Sequence, residues 1–283
     1  MKNKSGHLYI CPTPIGNLED ITLRCLKVLK EVDYIAAEDT RVTKKLLNHF
    51  EINTKLISYH KFSEKKQSEE IISKLKNGEN IALVTDAGTP VVSDPGNEIV
   101  SQALENDIKV IPLPGPSAIT CAISASGLVS EGFIFFGFLP KNDTKKAKLL
   151  EKLGENNLPI IFFESPNRII STLNVIKENM GDIDITIARE LTKLYEEIVS
   201  DKVTKILDHF TNKPPKGEFT IIISPFNTNK SKMSNSEIES LIIEKLNNNE
   251  SVSSIAIELS GFLGLNKNKI YSQTLEIQKS LNK

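Results

Sequence analysis

Residues suited to ligand binding stand directly after five short apolar segments in the first 120 residues. They occupy residues 12–17 (PTPIGN), 38–41 (EDTR), 60–61 (HK), 85–96 (TDAGTPVVSDPG) and 112–117 (PLPGPS). A purely structural turn needs only one Gly or Asn, so a succession of polar or Gly/Pro-rich segments favours a shared ligand site. In an open parallel sheet, ligands bind beyond the carboxyl ends of the strands. The pattern predicts a ligand crevice along one sheet edge, provided that the apolar segments are parallel strands.

The alternation of strand and helix patterns indicates that the apolar segments are parallel strands. Continuous apolar strands separated by helices are typical of βαβ units, whose parallel sheet is covered on both faces. The strand patterns lie at residues 7–11, 34–37, 55–59, 80–84 and 109–113, and helical patterns lie at 22–31, 42–50, 68–76, 98–106 and 117–126. Residues 1–126 are therefore predicted to form an N-terminal α/β domain.

Two further regions follow this domain. The small, polar stretch 124–132 predicts a boundary, and residues 127–229 then alternate strand and helix patterns with closer strand spacing near their end. We expect residues 127–229 to form a second α/β domain with a mixed sheet. Residues 230–283 carry apolar residues at helical spacing and predict an all-helical tail, with a helix-turn-helix-like arrangement as one expectation. The predicted fold class is α/β: two α/β domains and a small helical C-terminal tail.

The composition excludes several classes of protein. The chain has 283 residues, of which 39% are hydrophobic, with 35 Lys and Arg against 36 Asp and Glu. Such a balance excludes general disorder and gives no net positive charge for nucleic-acid binding, so any basic surface must be local. The scattered Cys11, Cys25 and Cys121 lack the spacing of a metal site, so no metal is expected. The start lacks the apolar region of a signal peptide, and no apolar run reaches the roughly 18 residues of a membrane span. We expect a cytoplasmic protein with neither a membrane nor DNA as a partner.

The loop residues also narrow the class of ligand. The sequence has neither GxGxxG after its first strand nor GxxxxGK[ST], the fingerprints of dinucleotide and nucleoside triphosphate sites. Instead, the small residues Asp86, Ala87 and Gly88 follow the fourth strand, where a flat ligand could lie against the backbone. The alternative for Asp86 and Asp94 is turn capping.

An ordered set of motifs then carries a resemblance to a known family. The motifs of the first half are TPIGNL (13–18), AAEDTR (36–41), SYH (58–60), TDAGTP (85–90), SDPG (93–96) and PGPSA (114–118). Those of the second half are FGFLP (136–140), FESP (163–166), RELTK (189–193) and GEFT (217–220). Together they resemble the class III, tetrapyrrole methylase-like S-adenosylmethionine-dependent methyltransferases, and among them the group that methylates small-subunit ribosomal RNA.

The resemblance implies a homodimer and a methyl donor, S-adenosyl-L-methionine, held in a cleft between the two α/β domains. It further implies which residues contact the donor. Those expected from the first domain are Pro14, Ile15, Asp86, Ala87, Gly88, Asp94, Ser117 and Ala118, and those expected from the second are Glu164, Phe219 and Thr220.

The implied reaction is methyl transfer to the ribose 2′-hydroxyl of a cytidine in the decoding region of 16S ribosomal RNA, with the assembled 30S subunit as substrate. Our hypothesis is that a polar cluster orients the hydroxyl and accepts its proton. The cluster is drawn from Asp39, Arg41 and His60 of the first domain and from Glu190 and Lys193 of the second. The base among them is left open.

Local basic clusters could hold the RNA phosphates. The residues expected to do so are Arg41, Lys44, Lys45, Lys141, Lys145, Lys146, Lys148 and Arg168. A solvated helix face is the alternative for the cluster that includes Lys44 and Lys45. Two rival functions also stay open: another class III methyltransferase acting on a tetrapyrrole or a protein, and a non-catalytic RNA-binding module that keeps the fold.

Overall fold

The computed structural model describes residues 5–60, 64–129, 131–212, 215–226, 235–248, 250–263 and 267–281. The chain divides into two compact units. The first is Met1–Cys121 with Glu190–Glu196, and the second is Ala122–Arg189 with Glu197–Lys283. Lys61 and the predicted boundary at residues 229 and 230 lie outside the described residues, and the division into three domains stays a prediction.

The first unit is built on a sheet of five parallel strands, as the sequence predicted. Its strands run in the order β3-β2-β4-β1-β5, and every pairing is parallel. All five carboxyl ends therefore lie along one edge. The elements are β1 (Leu8–Ile10), α1 (Leu23–Glu31), β2 (Tyr34–Ala37), α2 (Thr40–His49), β3 (Lys55–Ser58), α3 (Glu64–Lys76), β4 (Ile81–Val84), α4 (Asn97–Glu105) and β5 (Val110–Pro112). Helix α5 (Ala118–Ser126) begins in this unit and continues into the second.

Strand β4 lies at the centre of this unit and is buried on both faces. Its side chains alternate: Ile81 and Leu83 join the core formed with α3 and α4, while Ala82 and Val84 join the core formed with α1 and α2. This is the expected environment of an uninterrupted apolar strand in a parallel sheet.

Strands β1 and β4 are neighbours, and the connections that follow them leave in opposite directions. The chain passes from β1 through α1 to β2, and from β4 through α4 to β5, so each crosses the other strand. Helices α1 and α4 pack in the cores of opposite sheet faces. A topological switch of this kind opens a crevice at the carboxyl ends of the two strands.

The second unit contains a mixed sheet of five strands, also as predicted. The order is β6-β7-β10-β8-β9; β6 and β7 are parallel, and the other pairings are antiparallel. Central strand β10 is buried along its whole length. The elements are β6 (Ile134–Phe138), α6 (Asp143–Gly154), β7 (Ile160–Glu164), α7 (Ile169–Met180), β8 (Asp184–Arg189), β9 (Glu197–Lys202), α8 (Val203–Asn212) and β10 (Phe219–Ile223).

Three helices form the C-terminal tail, which confirms its predicted helical character. They are α9 (Asn235–Asn247), α10 (Val252–Leu263) and α11 (Lys267–Leu281). Ile242, Ile255 and Ile270, all fully buried, form a core of their own with their neighbours. No helix in the described part of the chain is long and apolar enough to cross a membrane.

Candidate functional site

Main-chain hydrogen bonds join the loops that follow β1 and β4. Thr13 N donates to Gly88 O and Gly88 N donates to Thr13 O, each over 2.9 Å. The Thr13 hydroxyl also donates to Thr85 O over 2.9 Å. Pro14 is buried and Ile15 half-buried beside this pair. The loops after β1 and β4, where a ligand is predicted to bind, are therefore joined by hydrogen bonds into one surface.

Gly88 brings the loop after β5 to the same place. Its φ of +80° lies in the left-handed region that glycine adopts without cost, and a Cβ there would lie 3.5 Å from Ile15 Cγ2 and 4.0 Å from Pro116 O. The Thr89 hydroxyl donates to Pro116 O over 3.1 Å. The half-buried Ser117 and Ala118 follow directly in the chain. The predicted donor-contacting residues after β1, β4 and β5 thus share one edge of the first unit.

The loop after β2 is attached to this surface through Asp86. The carboxylate of Asp86 accepts a hydrogen bond from Asp39 N over 3.1 Å, while Asp86 and Ala87 remain exposed. Asp39 in turn caps α2, because its carboxylate accepts from Arg41 N over 2.8 Å. It also pairs with Arg41 Nη2 over 2.6 Å. The Arg41 guanidinium lowers the pKa of Asp39 well below its usual range. Such a carboxylate is a weak base and suits a positioning role.

Besides Asp39, this edge carries the carboxyl groups of Glu38, Asp86 and Asp94. Burial raises the pKa of Glu38 and of Asp86, and repulsion from neighbouring carboxylates adds to the rise. Burial, with repulsion from Glu38 and Asp86, raises the pKa of Asp94 to about 7. Perturbed groups of this kind concentrate at functional sites.

The loop that carries Asp94 is also strained. Val91 and Ser93 adopt left-handed conformations with φ of 77° and 69°, which is unfavourable for residues with a Cβ and especially for a β-branched one. Backbone strain held by a rigid surround is a second mark of functional loops.

His60 stands at the carboxyl end of β3, at the sheet edge, and β2 lies between β3 and β4. Its main-chain N donates to Gln67 Oε1 over 3.0 Å, which anchors the loop to α3. His60 therefore shares the edge with Asp39 and Arg41 but lies farther from the switch point.

Glu190 and Lys193 were expected in the second domain, but the structure includes their segment in the first unit. Asn17 N donates to Thr192 Oγ1 over 3.0 Å. A Cβ on Gly16 would lie 2.5 Å from Lys193 Cγ and 3.0 Å from Leu191 O. Only glycine therefore allows the turn formed by Glu190–Glu196 to pack this closely on the loop after β1.

Within this turn, Glu190 and Lys193 form an ion pair. Lys193 Nζ lies 2.9 Å from Glu190 Oε1, with the two side chains 29% and 19% exposed. The pair thus stands on the loop that carries Ile15. Gly16, Asn17 and Thr192 were not identified as site residues from the sequence, and Glu38 was noted only as part of a motif.

The residues expected to contact the donor from the second unit lie on neighbouring strands. Phe219 pairs with Glu164, and Thr220 pairs with Phe163. The buried carboxylate of Glu164 accepts from Ser165 N over 2.8 Å and from Thr172 Oγ1 over 2.6 Å. Glu164, Phe219 and Thr220 are at most 4% exposed, so the expected donor contacts of the second unit lie in its interior.

Most of the predicted RNA-binding cations are exposed. In the first unit, Arg41, Lys44 and Lys45 all lie exposed on α2. In the second unit, Lys141, Lys145 and Lys148 are exposed at the start of α6. Arg168 is half-buried and donates from Nη2 to Leu139 O over 2.7 Å and to Pro140 O over 3.1 Å, so it braces the loop after β6.

Lys146 differs from its neighbours, and a phosphate contact there is not supported. Its side chain is 1% exposed, and its ammonium lies 2.9 Å from Asp143 Oδ1. It points to the same face of α6 as the buried Leu150, four residues on. A buried, paired ammonium is not available to a nucleic acid. In the described part of the chain, no group of three or more His, Cys, Asp or Glu could hold a metal ion.

This chain is similar to known proteins both in sequence and in fold. A model of the family described as tetrapyrrole (corrin/porphyrin) methylases matches residues 7–207. Among solved structures, the chain is similar to diphthine synthase, with a TM-score of 0.62 and 15% identity over 77% of this chain and 90% of that one. A cobalt precorrin-4 methyltransferase gives a TM-score of 0.58 and 18% identity over 77% and 94%. At these identities the likeness shows the fold alone.

Several curated relatives share the name ribosomal RNA small subunit methyltransferase I. The Thermotoga maritima protein is 48% identical over 219 residues, which cover 77% of this chain and 98% of that protein. The Bacillus subtilis protein is 46% identical over 80% of this chain and 77% of its own length. The Buchnera aphidicola protein is 43% identical over 96% of this chain and 97% of its own.

Asp94→Asn should stabilise the protein most at alkaline pH. A carboxyl whose pKa rises on folding to about 7 contributes stability that is present below its unfolded pKa and lost as the pH rises through the folded one. After discounting for solvent screening, the expected gain is roughly 1–2 kcal/mol at pH 8 and less at pH 5. Thermal unfolding between pH 4 and 9 measures it, with the exposed Asp208→Asn as control. An equal gain at pH 5 and pH 8 would contradict the raised pKa.

Gly16→Ala should loosen the turn at 190–196. The added Cβ would lie 2.5 Å from Lys193 Cγ and 2.7 Å from Thr192 Oγ1, and such overpacking costs roughly 1–3 kcal/mol. Hydrogen exchange of residues 190–196 should become faster, while β10 stays protected. Gly132→Ala is the control, because its nearest atom would lie at 3.7 Å. Unchanged exchange in the Gly16 variant would show that this contact does not hold the turn.

Proposed function

Because this chain belongs to the tetrapyrrole (corrin/porphyrin) methylase family, we propose that it transfers a methyl group from S-adenosylmethionine to ribosomal RNA. The acceptor is the ribose 2′-hydroxyl of a cytidine in the decoding region of 16S ribosomal RNA, within the 30S subunit. The observation that carries the choice of acceptor is the 43–48% identity to relatives named for the small ribosomal subunit. The corrin and diphthine enzymes share only 15–18%. We further propose, from the family resemblance, a cytoplasmic homodimer.

The switch-point surface fits the methyl donor in shape. The loops after β1, β4 and β5 present main-chain atoms and small residues, with Gly88 free of a side chain beside Ile15. The buried Thr85 hydroxyl has no hydrogen-bond partner among the described residues, and an unsatisfied buried polar group is costly unless a ligand or water meets it. Pro14, Ile15, Ala87, Gly88, Ser117 and Ala118 would hold the donor there, and the family resemblance adds Glu164, Phe219 and Thr220 of the second unit to the expected donor contacts.

The same surface fits the donor in charge. S-adenosylmethionine, when bound, supplies a methyl carbon activated by a positively charged sulfonium. Burial raises the pKa values of Asp86 and Asp94, and repulsion from nearby carboxylates adds to the rise; a cationic ligand would stabilise their charged forms. These carboxylates would therefore favour a cation over the anionic phosphates of a nucleotide.

The polar groups around the donor surface would divide the remaining work. Asp39 holds Arg41 through two nitrogen atoms, so the exposed guanidinium is fixed in direction for a phosphate. Lys193 and Glu190, paired over 2.9 Å, offer one donor and one acceptor to a hydroxyl. Holding the hydroxyl in line for attack can supply roughly 7–11 kcal/mol of the barrier.

The direct test is methyl transfer from labelled S-adenosylmethionine to 30S subunits that lack the modification, followed by nuclease mapping. A single 2′-O-methylated cytidine in the decoding region is the expected product. Glu190→Gln and Lys193→Met should each lower kcat with donor binding retained, which equilibrium dialysis checks. Donor binding without transfer to subunits would overturn the RNA acceptor, and tetrapyrrole and protein acceptors would then be assayed. A protein that bound RNA but did not bind the donor would be a non-catalytic RNA-binding module.

Neutralising the exposed cations of α6 should weaken RNA binding and its salt dependence. The triple variant Lys141→Gln, Lys145→Gln, Lys148→Gln removes three positive charges that are exposed. Each lost phosphate contact reduces the slope of log K against log salt by about 0.7–0.9. Filter binding to 30S subunits at several salt concentrations measures the slope. Lys146→Met should leave it unchanged, because that ammonium is buried; an unchanged slope in the triple variant would place the RNA elsewhere.

A further inference from the structure

Two large apolar side chains stand in solvent at the tip of the turn formed by Glu190–Glu196. Leu194 is 89% exposed and Tyr195 is 72% exposed. Exposed Leu residues are common on protein surfaces, but here a leucine and an aromatic ring are adjacent. They also directly follow Lys193, a residue of the proposed catalytic pair. The displayed pair therefore belongs to the same short turn as the proposed catalytic pair.

The turn that displays them is held firmly. Thr192 N donates to Glu196 Oε2 over 2.6 Å, and main-chain bonds run from Lys193 N to Glu190 O and from Glu196 N to Lys193 O. Glu190 and Thr192 adopt left-handed conformations, with φ of 50° and 66°. Strained backbone persists only where its surroundings impose it, and it is concentrated at functional sites. A turn so constrained presents Leu194 and Tyr195 in a fixed place rather than at the end of a loose loop.

The position of the turn brings the tip to the reacting groups. Thr192 accepts from Asn17 N, and Gly16 packs against Lys193, so the turn rests on the loop that carries Ile15. This loop therefore contributes Ile15 to the proposed donor surface and also contacts the turn that carries Tyr195, through Thr192 and Lys193. A nucleotide whose ribose reaches Glu190 and Lys193 would bring its base to the turn in which Tyr195 stands two residues after Lys193.

We infer that Tyr195, with Leu194 beside it, is the platform on which the unstacked base of the target nucleotide, or of its immediate neighbour, is stacked during methyl transfer. The inference rests on the proposed function and adds a positioning residue to it. A ribose inside structured RNA becomes accessible when its base leaves the stack, and proteins hold such bases on exposed aromatic side chains.

A nucleobase fits the tip better than a protein surface does. A stable protein interface buries roughly 800 Å² on each partner, whereas an aromatic side chain buries about 150–250 Å², the scale of one base plane. The charges beside the tip are already used within the turn, since Lys193 pairs with Glu190 and Glu196 caps Thr192 N. The free feature of the tip is thus apolar and planar, which suits the face of a base.

The first test is steady-state methyl transfer to unmodified 30S subunits. Tyr195→Ala should lower kcat/KM by about 10–100-fold, as expected for the loss of one stacked base, while Tyr195→Phe should restore most of it. Leu104→Ala is the matched control: Leu104 is 62% exposed in the last turn of α4, near the amino ends of the strands. Donor affinity and thermal stability should be the same in all four proteins. Equal kcat/KM for Tyr195→Ala and the wild-type protein would overturn the inference.

The second test uses the absence of tryptophan from the chain, which has no Trp among its 283 residues. Tyr195→Trp then provides a single tryptophan, and a synthetic RNA with the decoding-region sequence should quench its emission on binding. Leu104→Trp should not be quenched. Saturation is established separately from the anisotropy of labelled RNA. Bound RNA without quenching at position 195 would contradict stacking.

These experiments separate the inference from the proposed function. If the unmodified chain methylates no cytidine in 30S subunits, the proposed function fails. If it does so and Tyr195→Ala is as active, only the platform fails. Two results together would instead assign the tip to a contact with a second copy of the chain. The sedimentation coefficient would change in Tyr195→Ala, and the emission of Tyr195→Trp would depend on protein concentration in the absence of RNA.

Discussion

The reciprocal hydrogen bonds between the main chains of Thr13 and Gly88, each 2.9 Å long, extend the contact of the two central strands beyond the end of the sheet. They require a left-handed residue at position 88, which glycine supplies without strain. The other loops are attached to this pair: the loop after β5 through Thr89, the loop after β2 through Asp86, and the turn at 190–196 through Gly16. Without the central pair, none of these attachments would have a fixed point of reference, and the polar groups at the edge would not share one geometry.

The described chain contains two kinds of carboxylate. Asp39 is paired with Arg41, and Glu164 lies 3.2 Å from Arg168, so each of these charges has a neighbouring cation. For Asp86 and Asp94, burial instead raises the pKa values, and repulsion from nearby carboxylates adds to the rise. Such an arrangement costs folding free energy at neutral pH. A cationic ligand recovers that cost on binding, so the difference between the two kinds of carboxylate favours a positively charged donor.

Local sequence patterns made most of the fold predictable. They could not predict contacts between segments that are distant in sequence. The bounds of β2 agree with the sequence pattern and those of α1 differ from it by one residue, because a buried apolar run and a helical repeat are each properties of adjacent residues. Lys146 was grouped with its neighbours because they share one segment, but the helical period turns it towards Leu150 and the core. Thr192 lies 175 residues from Asn17 in sequence, so no pattern within either segment could reveal their contact. The charged pair of Glu190 and Lys193 was identified by its motif, but its placement on the first unit was not.

The rigidity of that turn is worth more to the proposed reaction than the basicity of any group on it. A general base typically accelerates a reaction by about 10²–10⁴-fold, or roughly 3–5 kcal/mol. Alignment of a hydroxyl with an already activated methyl carbon can supply roughly 7–11 kcal/mol. A site that depends on alignment needs fixed backbone more than a tuned pKa. Glu190 and Thr192 hold left-handed conformations, and Gly16 lets the turn pack on the loop below it. In the proposed reaction, backbone strain would therefore stand where alignment is needed, and Asp39, whose pKa is too low for a base, would contribute by holding Arg41 in place.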